Sequence, residues 1–231
     1  MEALLPRGAR GYASLPDGAR RGVVVLHELF GRMPEIDRVV DRFAAAGWAA
    51  VAPDLYQDTP RPICIARSIV EIQLGQGRFI DVIRGARDWL CQKAKLPPDA
   101  VGLIGFCMGG GFALAAGAGF GAVSTNYGAL PPDPVLARLP PTIGCYGAHD
   151  RIFGGMGPVL ERRLRTLGVP VETHTFDEVG HSFLTDGHHP IAAAFSRPLF
   201  RLDYRPEVAE RAWGLIFDFF GRTLVAAPES G

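Results

Sequence analysis

The chain predicts an α/β domain built on a mainly parallel sheet with helices on both faces. Three observations carry this expectation. Short apolar runs of strand length alternate with stretches of helical spacing, and glycine and proline mark the boundaries between them rather than gathering into a linker. The run Val23 to Leu26 is also continuously apolar instead of alternating, as strands covered on both sides are. With 231 residues, 48% of them hydrophobic, the chain has the length for one domain, 1–231, with a sizeable core.

The elements follow in order. Val23-Val24-Val25-Leu26 reads as a buried strand, with Gly11 to Leu15 before it as its hairpin partner. From Glu35 to Ala46 the spacing of Ile36, Val39, Val40 and Phe43 is helical, and Gly47 closes the helix. Trp48 to Ala52 is the next strand, stopped by Pro53-Asp54. Gln57 to Lys95 reads as mostly helical, with Phe79, Ile80, Ile83, Trp89 and Leu90 on its apolar face. Val101 to Ile104 is a strand that runs into a glycine-rich turn and the helical stretch Gly110 to Ala116. Ala122 to Tyr127, Thr142 to Tyr146 and Val171 to Phe176 complete the strands, with a helix over about 158–167. A last helix begins at Pro206, a first-turn position, and buries Trp213, Phe217 and Phe220.

Composition excludes several partners. A formal charge of +0 recommends neither nucleic acid nor an anionic membrane. The N-terminal apolar run is too short for a signal peptide and no segment is long enough to span a bilayer, which makes a cytoplasmic location the expectation. Cys64, Cys91, Cys107 and Cys145 lie far apart with no Cys-x-x-Cys pair, arguing for reduced thiols and against structural zinc or a disulfide framework.

Ligands of parallel sheets bind at the carboxyl ends of the strands, and the chemically informative residues fall there. Gly105-Phe106-Cys107-Met108-Gly109 sits between a strand and a helix, the context of a nucleophile elbow, with cysteine at its centre. A thiol at a helix N-terminus is biased towards the thiolate. Asp150 follows the strand ending at Tyr146, and His181 lies just past the strand ending at Phe176. The order nucleophile, acid, histidine gives each a role: His181 takes and returns the proton, and Asp150 fixes its tautomer and offsets the imidazolium charge. His149 neighbours Asp150, but adjacent residues on an extended segment point in opposite directions, so His149 reads as a loop residue. The backbone N–H groups of Leu29 and Met108 are candidates for an oxyanion hole. Glu28, in His27-Glu28-Leu29-Phe30-Gly31, falls close to the thiol, where its charge disfavours the thiolate and holds Cys107 neutral until substrate arrives.

Taken together, His27-Glu28-Leu29-Phe30-Gly31, Ala52-Pro53-Asp54-Leu55-Tyr56, Gly105 to Gly110, His149-Asp150 and Gly180-His181-Ser182-Phe183 resemble the dienelactone hydrolase family of the α/β-hydrolase fold, from about Gly11 to Phe220. The resemblance implies a Cys107-Asp150-His181 triad, with Glu28 engaging the cysteine and helping to activate it on substrate binding. It also implies a cofactor-free reaction that opens a lactone, in the type case 4-carboxymethylenebut-2-en-4-olide to maleylacetate. There are departures. The type enzymes carry a carboxylate-gripping arginine four residues beyond the histidine, where this chain has Thr185. Candidate substrate contacts are Phe30, Phe183, Arg67, Arg78 and Arg201. The stretch 186–205, with Phe195, Leu199, Phe200 and Tyr204 among Arg197, Arg201 and Arg205, is either a lid whose arginines replace the missing one or a surface excursion or dimer contact. His181, His188 and His189 make no metal site, since no acidic or cysteine partner stands at ligand spacing.

The leading expectation is therefore a lactone or activated-ester hydrolase working through a cysteine thioester, acting on a small molecule as a monomer or homodimer. Two alternatives stay open: a broader carboxylesterase or transacylase, and a redox-sensing or binding protein in which Cys107 does not turn over.

Overall fold

The computed structural model describes residues 1–57, 59–186 and 204–228. Its strands are β1 (Glu2–Leu4), β2 (Arg10–Ser14), β3 (Gly22–Leu26), β4 (Ala49–Pro53), β5 (Val101–Phe106), β6 (Ala122–Asn126), β7 (Thr142–Gly147) and β8 (Val171–Phe176). They form one sheet in the order β1-β2-β4-β3-β5-β6-β7-β8, parallel from β4 to β8, with β1 and β2 as an antiparallel edge. The central runs are buried along their whole length, which is why they read as continuously apolar in the sequence.

One pairing differs from expectation. The Gly11 segment is not the hairpin partner of β3; it pairs with β4, Gly11 opposite Pro53 and Tyr12 opposite Ala52. Both edges of β3 are already taken by parallel ladders to β4 and β5, with Val23 opposite Ala50 and Gly102, so the only open edge on this side belonged to β4. A Cβ at Gly11 would stand 2.7 Å from the Ala52 carbonyl oxygen, so this close pairing requires the glycine.

The helices are α1 (Pro34–Ala45), α2 (Arg61–Leu74), α3 (Arg78–Ala94), α4 (Met108–Ala116), the single turn α5 (Asp133–Leu136), α6 (Met156–Thr166) and α7 (Pro206–Thr223). On one face of the sheet α1 and α7 meet through aromatic rings, Phe43 lying 4.8 Å from Phe217 and 6.1 Å from Trp213 between centroids. Complete burial of a ring such as Phe43 contributes roughly 1.5–3 kcal/mol. The opposite face carries α3 and α4, with α2 laid against both. The predicted helical stretch 57–95 is broken at Gly75 and Gly77, both at positive φ. There the buried Glu71 carboxylate accepts the N–H of Phe79 at 2.7 Å and so caps α3, a use of the acid that leaves no room for a Cβ at Gly77. Among the described residues no helix is long and apolar enough to cross a membrane.

The strand order reverses direction between β3 and β5, since β4 lies outside β3 on one side and β6 outside β5 on the other. The crevice at the carboxyl ends of these two strands is the place where such sheets bind ligands. Glu28 follows β3 and Cys107 follows β5.

Candidate active site

The turn after β5 is built around glycine. A Cβ at Gly105 would fall 1.9 Å from the Gly109 carbonyl oxygen, and one at Gly109 would fall 2.6 Å from the carbonyl oxygens of both Leu26 and His27. Only without these atoms can α4 start so close to β5 and rest against the end of β3. Cys107, the residue between, takes φ 54° and ψ −115°, a conformation that strains any side chain by about 1–3 kcal/mol. The surroundings hold it there: its N–H donates to the Asn126 carbonyl at 3.0 Å, while the Asn126 side-chain amide donates to the Gly105 carbonyl at 3.0 Å. The thiol is thereby presented, half-buried, at the head of α4.

The fold brings Asp150 and His181 to the same edge. The His181 Nδ1 lies 2.5 Å from Asp150 Oδ2, and Asp150 Oδ1 accepts the N–H groups of Ile152 at 2.9 Å and Phe153 at 3.0 Å. With one oxygen given to the backbone and the other to the imidazole, Asp150 fixes the ring through Nδ1, which turns Nε2 away from the acid. Phe153 and Tyr127 flank the imidazole, their ring centroids 5.6 and 4.9 Å from it. Burial penalises a charge on His181. The charge of the Cys107 sulfur, the Asp150 hydrogen bond and a hydrogen bond with Cys107 outweigh it and raise the imidazole to about 10. Burial likewise works to raise Asp150, but His181 and the two N–H donors hold its carboxyl below the usual range. His149 is exposed where Asp150 is buried, as their alternation requires.

At the end of β3 the fully buried His27 has its Nδ1 2.7 Å from the Glu28 carbonyl and accepts the Leu55 N–H at Nε2, 3.1 Å away. The ring thus carries its proton on Nδ1 and ties the Glu28 turn to the loop after β4, and burial holds its pKa low. Glu28 is itself buried, and its Oε1 accepts the hydroxyl of Thr185 at 3.0 Å. Leu29 follows in this turn, and Met108 opens α4, where first-turn N–H groups have no intrahelical acceptor. The first turn of α4 lies against the carbonyls of Leu26 and His27, just before Leu29 in the chain. Tyr56 donates its hydroxyl to the Met108 sulfur at 3.1 Å.

The candidate substrate contacts divide. Phe30 is half-buried beside Leu29. Phe183 is a correction: it is wholly inside the core, 5.1 Å from Phe176 and 5.7 Å from Tyr127 between centroids, so it supports Tyr127 from behind and has no surface to offer a substrate. Arg67 stands 5.8 Å above the Phe79 ring on a wide groove of α2, and Arg78 is exposed at the head of α3. Arg201, with all of 187–203, lies outside the described residues. Among the described residues no cluster of three or more His, Cys, Asp or Glu is arranged for a metal ion. Tyr127, Tyr56 and Phe153 went unnoticed in the sequence as site residues, and a usable signal existed for the first, a tyrosine ending a strand at the carboxyl edge.

An eight-stranded, mainly parallel sheet with a strained residue at the turn between its central strand and helix is an α/β hydrolase. The model of the Dienelactone hydrolase family matches residues 9–224, and the chain belongs to that family of hydrolases. Among curated relatives, a carboxymethylenebutenolidase of Rhodococcus opacus is 27% identical over 232 residues, covering 92% of this chain and 85% of its own. Protein usf of Aquifex pyrophilus is 26% identical over 226 residues, 91% of this chain and 92% of its own. Among solved structures, a dienelactone hydrolase-like promiscuous phosphotriesterase from metagenomic libraries superimposes with a TM-score of 0.81 at 22% identity, covering 97% and 98% of the two chains. A dienelactone hydrolase from Klebsiella pneumoniae, so described as a candidate, gives 0.77 at 23% identity over 96% and 98%.

Proposed function

We propose that this hydrolase opens a lactone or cleaves an activated ester through a thioester on Cys107, the reaction class suggested by its carboxymethylenebutenolidase relatives. The observation that carries the reading is the His181 ring, held by Asp150 at 2.5 Å and raised towards the imidazolium by the charge on Cys107. Passing the Cys107 proton to this ring gives a thiolate with its acid beside it.

The sulfur attacks the carbonyl carbon, and the oxygen takes the negative charge facing the N–H groups of Leu29 and Met108. Collapse breaks the carbon–oxygen bond to the leaving group, which receives the proton of the His181 imidazolium. Water then gives a proton to the neutral His181 and adds its oxygen to the thioester, and collapse of the second intermediate expels the thiolate. A thiolate leaves a tetrahedral intermediate more readily than an alkoxide, so enol lactones and aryl esters are favoured over alkyl esters and amides. Glu28, next to this pair, raises the energy of the thiolate in the resting site.

The test is to quench a reaction with p-nitrophenyl acetate and weigh the protein. An acetyl group on the Cys107 peptide, absent from Cys107→Ala, is the expected result; turnover with no acyl group on Cys107 and undiminished in the variant sinks the thioester route. A broader carboxylesterase activity is a second reading, favoured by Thr185 at the place where the resemblance leads one to expect a carboxylate-gripping arginine. Equal kcat/KM on dienelactone and on a neutral enol lactone would decide for it.

A further inference from the structure

Glu28 does not stand alone. Its carboxylate is buried, and the Thr185 hydroxyl that donates to it is buried as well, 3% exposed. The backbone before Thr185 is pinned, because the Leu184 carbonyl accepts the indole N–H of Trp213 on α7 at 3.2 Å. Next to this hydroxyl lies the phenol of Tyr127, with no exposed surface and no hydrogen bond of good geometry on its oxygen, although Thr185 and Leu184 stand near it. Buried polar groups are nearly always hydrogen-bonded, and an exception calls for a reason. Tyr127 also sits at φ 43°, a strained value for a tyrosine, with its ring 4.9 Å from His181.

A threonine hydroxyl has one proton and two lone pairs. Having given the proton to Glu28, Thr185 Oγ1 is left an acceptor, and the Tyr127 phenol is the donor beside it. Donation from Tyr127 to Thr185 would extend the Thr185-to-Glu28 bond into a chain in which each bond strengthens the next, ending on a carboxylate oxygen. Hydrogen bonds to the charged form of an acid keep it charged. The Tyr127 phenol feels the charges of both Glu28 and Cys107, so the two lie in one electrostatic neighbourhood.

We infer that Thr185 and Tyr127 are positioning residues that hold the Glu28 carboxylate ionised and in place beside Cys107, so that its charge sets the pH at which the thiolate forms. This rests on the reading of Glu28 given above. The other titratable or charged groups around the pair are His181 and Asp150 from the loops after β8 and β7, Tyr56 from the loop after β4, and His27, with Arg32 and Asp54 behind it. Glu35, Arg38 and Arg42 of α1, with Asp186 and Tyr204, line a cavity of about 250 Å³ that also reaches Thr185.

The test is the pH profile of Cys107 alkylation by iodoacetamide, read by mass spectrometry on the Cys107 peptide. Removing the charge in Glu28→Gln is expected to move the midpoint down by roughly one pH unit. Thr185→Val weakens the hold on the charged form and moves the midpoint the same way by about half as much. Thr185→Ser, which keeps the hydroxyl, returns it to the wild-type value, and Tyr127→Phe gives a smaller downward shift. If Glu28→Gln shifts the profile and neither Thr185→Val nor Tyr127→Phe does, or if Thr185→Ser shifts it as far as Thr185→Val, the positioning role is overturned. An unmoved profile in Glu28→Gln overturns instead the placement of Glu28 beside the thiol, and leaves the thioester test untouched.

Discussion

Cys107 and Cys145 occupy the same sheet and have opposite surroundings. Cys145 lies within β7, with no exposed surface, and burial alone pushes its thiol up to about 12. Cys107 stands one residue past the end of β5, half-buried at the head of a helix, within electrostatic reach of His181. A thiol inside a strand is a small apolar side chain; one moved beyond the strand's last pleat meets a helix N-terminus and the loops at the sheet's carboxyl edge. The expected difference in reactivity is a property of position along the strand axis.

The comparison breaks most directly at the thiols themselves. Cys107→Ala is expected to lower kcat/KM by about 10⁴-fold or more, whereas Cys145→Ala changes it by less than about threefold. A reversal, measured on the same activated ester, would show that the elbow is not the reacting site. Asp150→Asn keeps the shape but loses the charge that orients His181, and a decrease of about 10²–10⁴-fold is expected in the same assay.

The strain that presents Cys107 can be probed by stability. In Gly105→Ala the new methyl meets the Gly109 carbonyl at a distance no packing shift of a side chain relieves, so a loss of about 4 kcal/mol or more is expected in denaturant unfolding. An unfolding midpoint within error of wild type would mean that β5 and α4 can separate freely, removing the reason for the glycine.

The smallest effect is on pH dependence. His181 is raised from about 6.5 in the unfolded chain to about 10, so the folded state holds a proton that the unfolded state has released across that interval. Its stabilising contribution is therefore complete below about 6.5 and is lost as pH rises through about 10. Thermal melts between these values should show the decline in wild type and a flatter profile in His181→Gln. Parallel profiles would count against the paired imidazolium.

The fold and part of the site are legible in the sequence for the same reason, that burial and strand ends leave local marks. Val23 to Leu26 and Val101 to Ile104 are continuously apolar because both faces are covered, Cys107 and Asp150 each follow a buried strand, and His181 follows the edge strand β8. What was not legible depends on which distant segments meet. The partner of the Gly11 strand is decided by which edge remains open once β3 has two neighbours. Thr185 and Glu28 are 157 residues apart, and nothing near either one announces the other. Phe183 reads as a neighbour of the histidine, yet the left-handed turn at Ser182 directs the chain so that the ring points into the core.

The Trp213 indole that holds the Leu184 carbonyl belongs to α7, the last helix of the described chain. During synthesis the sheet, the elbow and His181 all emerge before it. A nascent chain thus carries its cysteine for some time without this anchor for the loop that bears Thr185. The Thr185 contact with Glu28 is therefore anchored only once the last described helix has emerged.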